Sequence, residues 1–317
     1  MRKLFCRLKN ARQNLALGSY IVIYDVRAMS ELFQIKRPIF ILGSGRSGTT
    51  LLYNLLCGHP DVFWFSSLTN AFPAVPQLAL FHRLSAFGRN PRMGVHDQHS
   101  HRLLYPSEGD AIYHRCGFVD TKRSHIDNVS DTMRQCFFHT VRWHQIMTGK
   151  KRFINKQTAN TQRIAPLVDM FPDAYWIHII RDPKAVVSSL LHVSWWPSVS
   201  IWWLGQTPKQ WEASGKDPVV LCAEHWKHNV TEIISHKTLF GRRYIEVYYE
   251  ELIRNPQKIM ARVLRFCNLP VNTGLIASLP RRLPDRNNKW RKLLTKKQAA
   301  SIAAITKSVG ITRNYAA

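Results

Sequence analysis

Gly43-Ser44-Gly45-Arg46-Ser47-Gly48-Thr49-Thr50 gathers three glycines, four hydroxyl side chains and one arginine into eight residues. Such a stretch can hold an anion. Glycine lets the backbone turn close to a ligand, N–H groups and hydroxyls donate to it, and the arginine supplies charge. Gly43 and Gly48 have the spacing of the nucleotide loop G-x-x-x-x-G-K-[ST], but Thr49 stands where that pattern has lysine. The cation has moved into the loop as Arg46. A loop without the lysine is poorly equipped for the β- and γ-phosphates and magnesium of ATP hydrolysis. It can hold a smaller anion between Arg46, Thr49, Thr50 and the backbone. Taken alone, a plain glycine-rich strand-to-helix turn is the lesser alternative.

A second anion-binding pattern lies downstream. Arg181-Asp182-Pro183 follows an apolar run, and Ser189 comes about two helical turns later. An arginine and a serine so related can share one phosphate. By itself, Arg181 reads better as a structural ion-pair partner of Asp182 or of a neighbouring acid. Lys156 closes the segment Phe153-Ile154-Asn155 and is expected to point into the same ligand crevice.

These groups need elements to carry them. Pro38-Ile39-Phe40-Ile41-Leu42 reads as a buried parallel strand, and Thr49 to Leu56 as a helix with a polar start. A strand, a glycine turn and a helix N-terminus together make an anion site, because unpaired N–H groups and the helix dipole point at it. Ala174 to Ile180 reads as another buried strand, with Pro183 opening a helix where its missing N–H costs nothing. Arg181 then sits at the carboxyl end of a strand, where open α/β sheets bind ligands. Strands are expected near 39–42, 62–65, 152–155, 175–180 and 244–248, with a helix over 137–147 ended by Gly149. Strands alternating with helices predict an α/β fold, a P-loop-type parallel β-sheet with helices on both faces. The chain of 317 residues reads as a basic N-terminal segment, 1–37, followed by a single domain, 38–317.

Forty-five Lys and Arg against twenty Asp and Glu leave a net charge of +25, which calls for anionic ligands or surfaces. A basic, tryptophan-rich chain can also grip nucleic acid. The basic residues are spread along the chain, however, and no nucleic-acid motif accompanies them. A basic face toward an anionic bilayer or an acidic glycan fits better. Met1 to Lys9 is basic and amphipathic, whereas the apolar run from Leu15 to Tyr24 is too short to span a bilayer. An ordinary first helix packed on the core accounts for it somewhat better. The expected location is cytoplasmic, with peripheral contact on a membrane face.

Six cysteines, at 6, 57, 116, 136, 222 and 267, form no C-x-x-C pair and read as buried small hydrophobes rather than a disulfide framework. His96, His99 and His101 cluster locally, but no partner motif completes a metal site, and none is expected.

The two anion patterns together resemble the sulfotransferase superfamily, whose donor is 3′-phosphoadenosine 5′-phosphosulfate (PAPS). Gly45 to Leu52 is similar to that family's 5′-phosphosulfate loop, and Arg181-Asp182-Pro183 with Ser189 to its 3′-phosphate motif. The stretches 154–183, 243–256 and 287–295 resemble further family segments in the right order. The resemblance implies sulfuryl transfer to a hydroxyl or amine by in-line displacement, with a general base. It implies donor contacts from Ser44, Gly45, Arg46, Ser47, Gly48, Thr49, Thr50, Arg181 and Ser189. It also implies a nucleotide-covering flap with Lys289, Trp290 and Arg291, and an adenine contact from Trp226. One branch, which includes tyrosylprotein sulfotransferases, takes its base from a glutamate after the first helix and strand. The corresponding text here, His59 to Asn70, contains none. Many bacterial members place the acid in a P-x-E-x-[DE] segment, which Pro106-Ser107-Glu108-Gly109-Asp110 resembles. Glu108 is therefore the expected base, with Asp110 beside it and His99 or His101 as substitutes. Arg46 and Lys156 are expected to stabilise charge on the sulfuryl group.

The acceptor is the least legible part. Residues 194–211 hold five tryptophans, which can stack on sugars, sit at a membrane interface or form a buried lid. A glycan or glycolipid is expected, with small alcohols, other lipids and peptide tyrosine open. A P-loop kinase-like enzyme and a nucleic-acid-binding protein are the alternative functions.

Overall fold

The computed structural model describes residues 35–84, 102–118 and 129–311. The 1–34 part of the basic segment, Cys6, and the histidines 96, 99 and 101 fall outside these residues.

Five parallel strands form one sheet in the order β2-β3-β1-β4-β5. They are β1 (Ile39–Leu42), β2 (Val62–Phe63), β3 (Arg152–Lys156), β4 (Tyr175–Ile180) and β5 (Tyr244–Tyr248). The five expected strands all form, although β2 stops two residues early. In register, Ile41 of β1 stands opposite Lys156 of β3, and Leu42 opposite His178 of β4. The main helices are α1 (Thr49–Cys57), α2 (Asp131–Thr148), α3 (Pro183–Leu190), α4 (Pro218–Ser235), α5 (Tyr249–Arg254), α6 (Pro256–Phe266) and α7 (Lys296–Thr306).

The alternation of strand side chains divides the core. Ile39 and Ile41 face α1, α5 and α6, with Leu52, Leu252 and Met260 buried against them. Phe40 and Leu42 face the other way, toward Phe137 and Val141 of α2 and Leu167 of the helix Ile164–Met170. A third cluster joins α3, α4 and α7 through Val186, Leu190, Val230 and Ile302.

Helix α2 begins six residues before the expected 137, because Ser130 accepts a cap bond from the Met133 N–H at 3.2 Å. Gly149, at φ 70°, ends it as expected. The cysteines divide. Cys57, Cys222 and Cys267 are buried free thiols, but Cys116 and Cys136 form a disulfide, with Cα atoms 5.4 Å apart. This corrects the expectation of unpaired cysteines. The end of the helix Asp110–Arg115 packs on the start of α2 and brings the two together.

Candidate active site

The loop between β1 and α1 is held open by close contacts. A Cβ on Gly43 would lie 2.7 Å from the Ile179 carbonyl oxygen, so β4 can lie this near only because residue 43 is glycine. Gly48 has φ +91°, and a Cβ there would meet the Tyr249 ring at 2.5 Å. Arg46 takes the left-handed conformation, φ 69°, without being glycine. That turn sends its side chain across to α3, where Nε donates to Ser189 Oγ at 2.9 Å. The two anion patterns thus meet through their own side chains. Ser44 and Ser47 are fully buried, and the Ser47 hydroxyl has no hydrogen-bond partner among the described residues. No side chain caps the start of α1, so its first N–H groups are left for a ligand.

β1 and β4 are neighbours whose following segments run to opposite sides of the sheet, which is the usual ligand crevice of such folds. A crevice of about 770 Å³ opens there. Arg46, Gly48, Thr49 and Thr50 line it from the loop, and Arg181 and Ser189 from the β4 side. Ser44 and Ser47, which are buried, and Gly45, which is partly exposed, do not line it. Arg181 does more than face a ligand. Its guanidinium donates to the Arg46 carbonyl (2.9 Å), the Arg286 carbonyl (3.0 Å) and Asn287 Oδ1 (3.0 Å). It also lies 4.2 Å from the centre of the Tyr249 ring. Burial lowers the Arg181 pKa from its ordinary value. Asp182 caps α3 by accepting from the Lys184 N–H at 2.9 Å. The Asp182 N–H donates to Glu250 Oε1 at 3.0 Å, and the buried Glu250 Oε2 has no partner among the described residues. Burial raises the pKa of both carboxyls.

The far wall is the C-terminal flap. Leu283, Pro284, Arg286, Lys289, Trp290 and Leu293 line the crevice. Trp290 is flanked by Lys184, 4.5 Å from its ring centre, and Arg291, 4.8 Å away. Arg291 therefore braces the flap residue and does not itself line the crevice. Sequence reasoning missed Arg286, His192 and Tyr249. His192 had a usable signal, one helical turn after Ser188. Its Nδ1–H donates to the Ser188 carbonyl at 2.8 Å. Tyr249 had no local signal, because it meets Gly48 and Arg181 only through the fold.

Glu108 and Lys156 stand on the other side of the loop, toward β3, and do not line this crevice. They form an ion pair with each other through Glu108 Oε1, with side chains 36% and 4% exposed respectively. Glu108 Oε2 has no partner among the described residues. The peptide around Glu108 is fixed: its carbonyl accepts from Asn155 at 3.0 Å, and the Ser107 carbonyl accepts from the Tyr53 hydroxyl at 3.1 Å. Asp110 is engaged by Gln157 at 2.5 Å. Trp226 corrects an expectation. It is 1% exposed in the cluster between α3, α4 and α7, because its face of α4 points to the core, and no nucleotide reaches it there. The tryptophan stretch is largely packing too. Trp196 is buried, Trp203 stacks on His228 at 4.1 Å, and Trp211 donates to the Asp217 carbonyl at 3.0 Å. Only Trp195 in that stretch is well exposed. Among the described residues no three His, Cys, Asp or Glu side chains converge as metal ligands.

Comparison with known proteins bears on this geometry. Residues 38–273 match the model of a family described as the sulfotransferase family. A protein-tyrosine sulfotransferase of Drosophila melanogaster is 24% identical over 239 residues, 75% of this chain and 39% of its own. The omega-hydroxy-beta-dihydromenaquinone-9 sulfotransferase Stf3 of Mycobacterium tuberculosis is 27% identical over 206 residues, 57% of this chain and 51% of its own. The chain spans about half or less of the length of these curated relatives. In structure, the sulfotransferase STF9 of Mycobacterium avium superposes with a TM-score of 0.56 at 19% identity, covering 89% of this chain and 80% of that one.

Proposed function

The chain belongs to the sulfotransferase family, and from that premise we propose that it moves the sulfuryl group of PAPS to a hydroxyl of an acceptor. The observation that carries this reading is the convergence of Arg46 and Ser189 at the start of α1, beside an unpartnered Ser47 hydroxyl. Ser47, Thr49, Thr50 and the first N–H groups of α1 hold the phosphosulfate. Arg181 and Ser189 take the 3′-phosphate, and Lys289 and Trp290 close over the nucleotide. In the transfer, Glu108 Oε2 takes the proton of the acceptor hydroxyl. The acceptor oxygen bonds to sulfur as the bond from sulfur to the phosphate oxygen breaks, and adenosine 3′,5′-bisphosphate leaves. Lys156 and Arg46 stabilise negative charge on the sulfuryl and departing oxygens. The arrangement suits in-line displacement: the donor crevice lies on the β4 side of the loop and the base on the β3 side.

We place the acceptor hydroxyl on a glycolipid or comparable lipid rather than a free glycan. Four of the five tryptophans that a sugar would use are at least partly buried. One relative's name gives an omega-hydroxylated menaquinone derivative as its substrate. A thermal-shift series tests the donor. Adenosine 3′,5′-bisphosphate should stabilise the chain by about 2.7 kcal/mol at a hundredfold excess over its Kd. No shift with it, alongside a magnesium-dependent shift with ATP, would favour a kinase-like enzyme. A shift with oligonucleotides alone would favour a nucleic-acid-binding protein.

A further inference from the structure

One surface is at odds with the rest of this highly charged chain. The segment from the end of the helix Ser67–Ala71 through the 3₁₀ helix Pro76–Leu84 exposes Phe72, Val75, Leu80, Phe81 and Leu84. Leu84 is 71% exposed and Phe72 55%. Apart from Gln77 and Arg83, every exposed side chain from Ala71 to Leu84 is apolar, and none is acidic. Leu103, 58% exposed, extends the face, because the turn Arg102–Leu104 packs on the helix Ser67–Ala71. Single exposed apolar residues need no explanation, but six large ones on adjoining turns do.

The platform is firmly seated. Pro76, Ala79 and His82 are buried beneath it, with the His82 ring centre 3.9 Å from that of Trp64. The 3₁₀ helix packs along α2. The face is also tied to the proposed base. Ser67 N–H donates to the Tyr105 carbonyl at 2.9 Å and Ser107 N–H to the Phe65 carbonyl at 2.7 Å, so Leu103 and Glu108 belong to one pinned segment.

We propose that this face rests on an anionic lipid bilayer. Charge selects that occupant. The chain carries +25, so an anionic leaflet attracts it at long range, whereas a second copy with the same charge is repelled. The apolar segment from Ala71 to Leu84 carries no acid to oppose this, and Arg83 sits within it beside Gly149. Lys151 nearby is 78% exposed and meets Asp61, its one acidic neighbour among the described residues, only at 3.5 Å, whereas Lys150 is turned inward onto the Val62 carbonyl. Apolar side chains then enter the headgroup boundary while arginine and lysine meet lipid phosphates. The docking needs no catalysis. Its use, bringing Glu108 to a lipid-borne hydroxyl, rests on the sulfotransferase reading.

Vesicle flotation of the full chain tests the docking apart from that reading. The probes are phosphatidylcholine vesicles with and without about one-third phosphatidylglycerol. The wild type should float with the anionic vesicles. Phe81→Glu/Leu84→Glu should lower the bound fraction about tenfold or more at equal lipid. The variant should keep the wild-type melting temperature and its shift with adenosine 3′,5′-bisphosphate, which shows that the fold and the donor crevice are intact. Phe81→Ser/Leu84→Ser, which adds no charge, should weaken binding in the same direction. Replacing Arg2, Lys3, Arg7 and Lys9 by alanine should leave a substantial part of the binding. Unchanged flotation of the Glu variant would overturn the proposal, as would complete loss in the N-terminal variant. A wild type that ignores both vesicles, and is a dimer that the Glu variant dissociates, would assign the face to a second copy instead. A nucleotide that fails to bind while flotation behaves as expected would remove the sulfotransferase reading and leave the docking standing.

Discussion

The two sides of the glycine loop are built on opposite principles. On the β4 side, donors are left over: the first N–H groups of α1, the Ser47 hydroxyl, and Thr49 and Thr50 at the crevice wall. On the β3 side, the polar groups are already satisfied by one another. Lys156 holds Glu108, Gln157 holds Asp110, and Asn155 and Tyr113 share a bond of 3.0 Å. An anion site can be laid down by local backbone geometry and wait for its ligand, because N–H groups at a helix start are unpaired anyway. A buried ammonium such as that of Lys156, 4% exposed, cannot wait unpaired, because an isolated charge there is costly. The β3 side therefore has to exchange a partner when an acceptor arrives, whereas the β4 side only gains one.

The sharpest test of that contrast is Glu108→Gln. The amide keeps the shape and can still accept from Lys156, but it cannot take a proton. Turnover should fall about 10²–10⁴-fold. Binding of adenosine 3′,5′-bisphosphate, read by calorimetry, should stay within about twofold, since Glu108 does not line the donor crevice. A similar loss of nucleotide affinity would join the two sides into one site. Wild-type turnover would move the base elsewhere on the β3 side.

Arg181→Ala should produce the next largest effect, on the β4 side alone. A charge-assisted hydrogen bond contributes roughly 1.5–3 kcal/mol, so affinity for adenosine 3′,5′-bisphosphate should fall about tenfold or more. Because Arg181 also clasps the Arg46 and Arg286 carbonyls, some loss is expected for any nucleotide. The difference between two ligands isolates the phosphate contact. Adenosine 5′-monophosphate should lose less than the bisphosphate. Equal losses would make Arg181 a clasp between loop and flap and nothing more.

The same contrast explains what could be read from the residues in advance. The β4 side was legible because its parts are consecutive: Gly43 to Thr50 at one strand end, and Arg181 to Ser189 at another. Strands β1, β2 and β4 were legible because each is a short, largely apolar run between breakers, and β3 and β5 because β-branched and aromatic residues stand there among polar ones. Trp226 was misplaced because an aromatic on an amphipathic helix has the same pattern whether it faces a core or a ligand. The Cys116–Cys136 pair was missed because no short spacing announces it, and only the approach of two helices makes it. Tyr249 was invisible for a related reason. Its contacts with Gly48 and Arg181 exist only once β5 lies beside β4.

The smallest expected effect tests the exception to the rule, a buried carboxylate on the β4 side that is only half satisfied. Glu250 accepts from the Asp182 N–H through Oε1 and leaves Oε2 buried without a partner among the described residues. Burial raises its pKa first, and the nearby Asp182 carboxylate adds to this, against the opposing pull of Arg181. An acid whose pKa is raised on folding holds its proton more tightly in the folded state. Stability is therefore lost as pH rises from the ordinary carboxylate range, near 4.5, up through the raised value. Glu250→Gln keeps an oxygen for the Asp182 N–H and removes the ionisation. The variant and the wild type should melt alike at the acid end of that window, where Glu250 is protonated. Above it, the variant should melt higher, by on the order of 1–3 °C. Melting curves in matched buffers across that range measure the difference directly. A gap that is constant with pH would mean that Glu250 keeps one protonation state throughout. A variant that melts lower at neutral pH would show that the Glu250 charge is satisfied by Arg181, and that the β4 side too has its polar groups paired in advance.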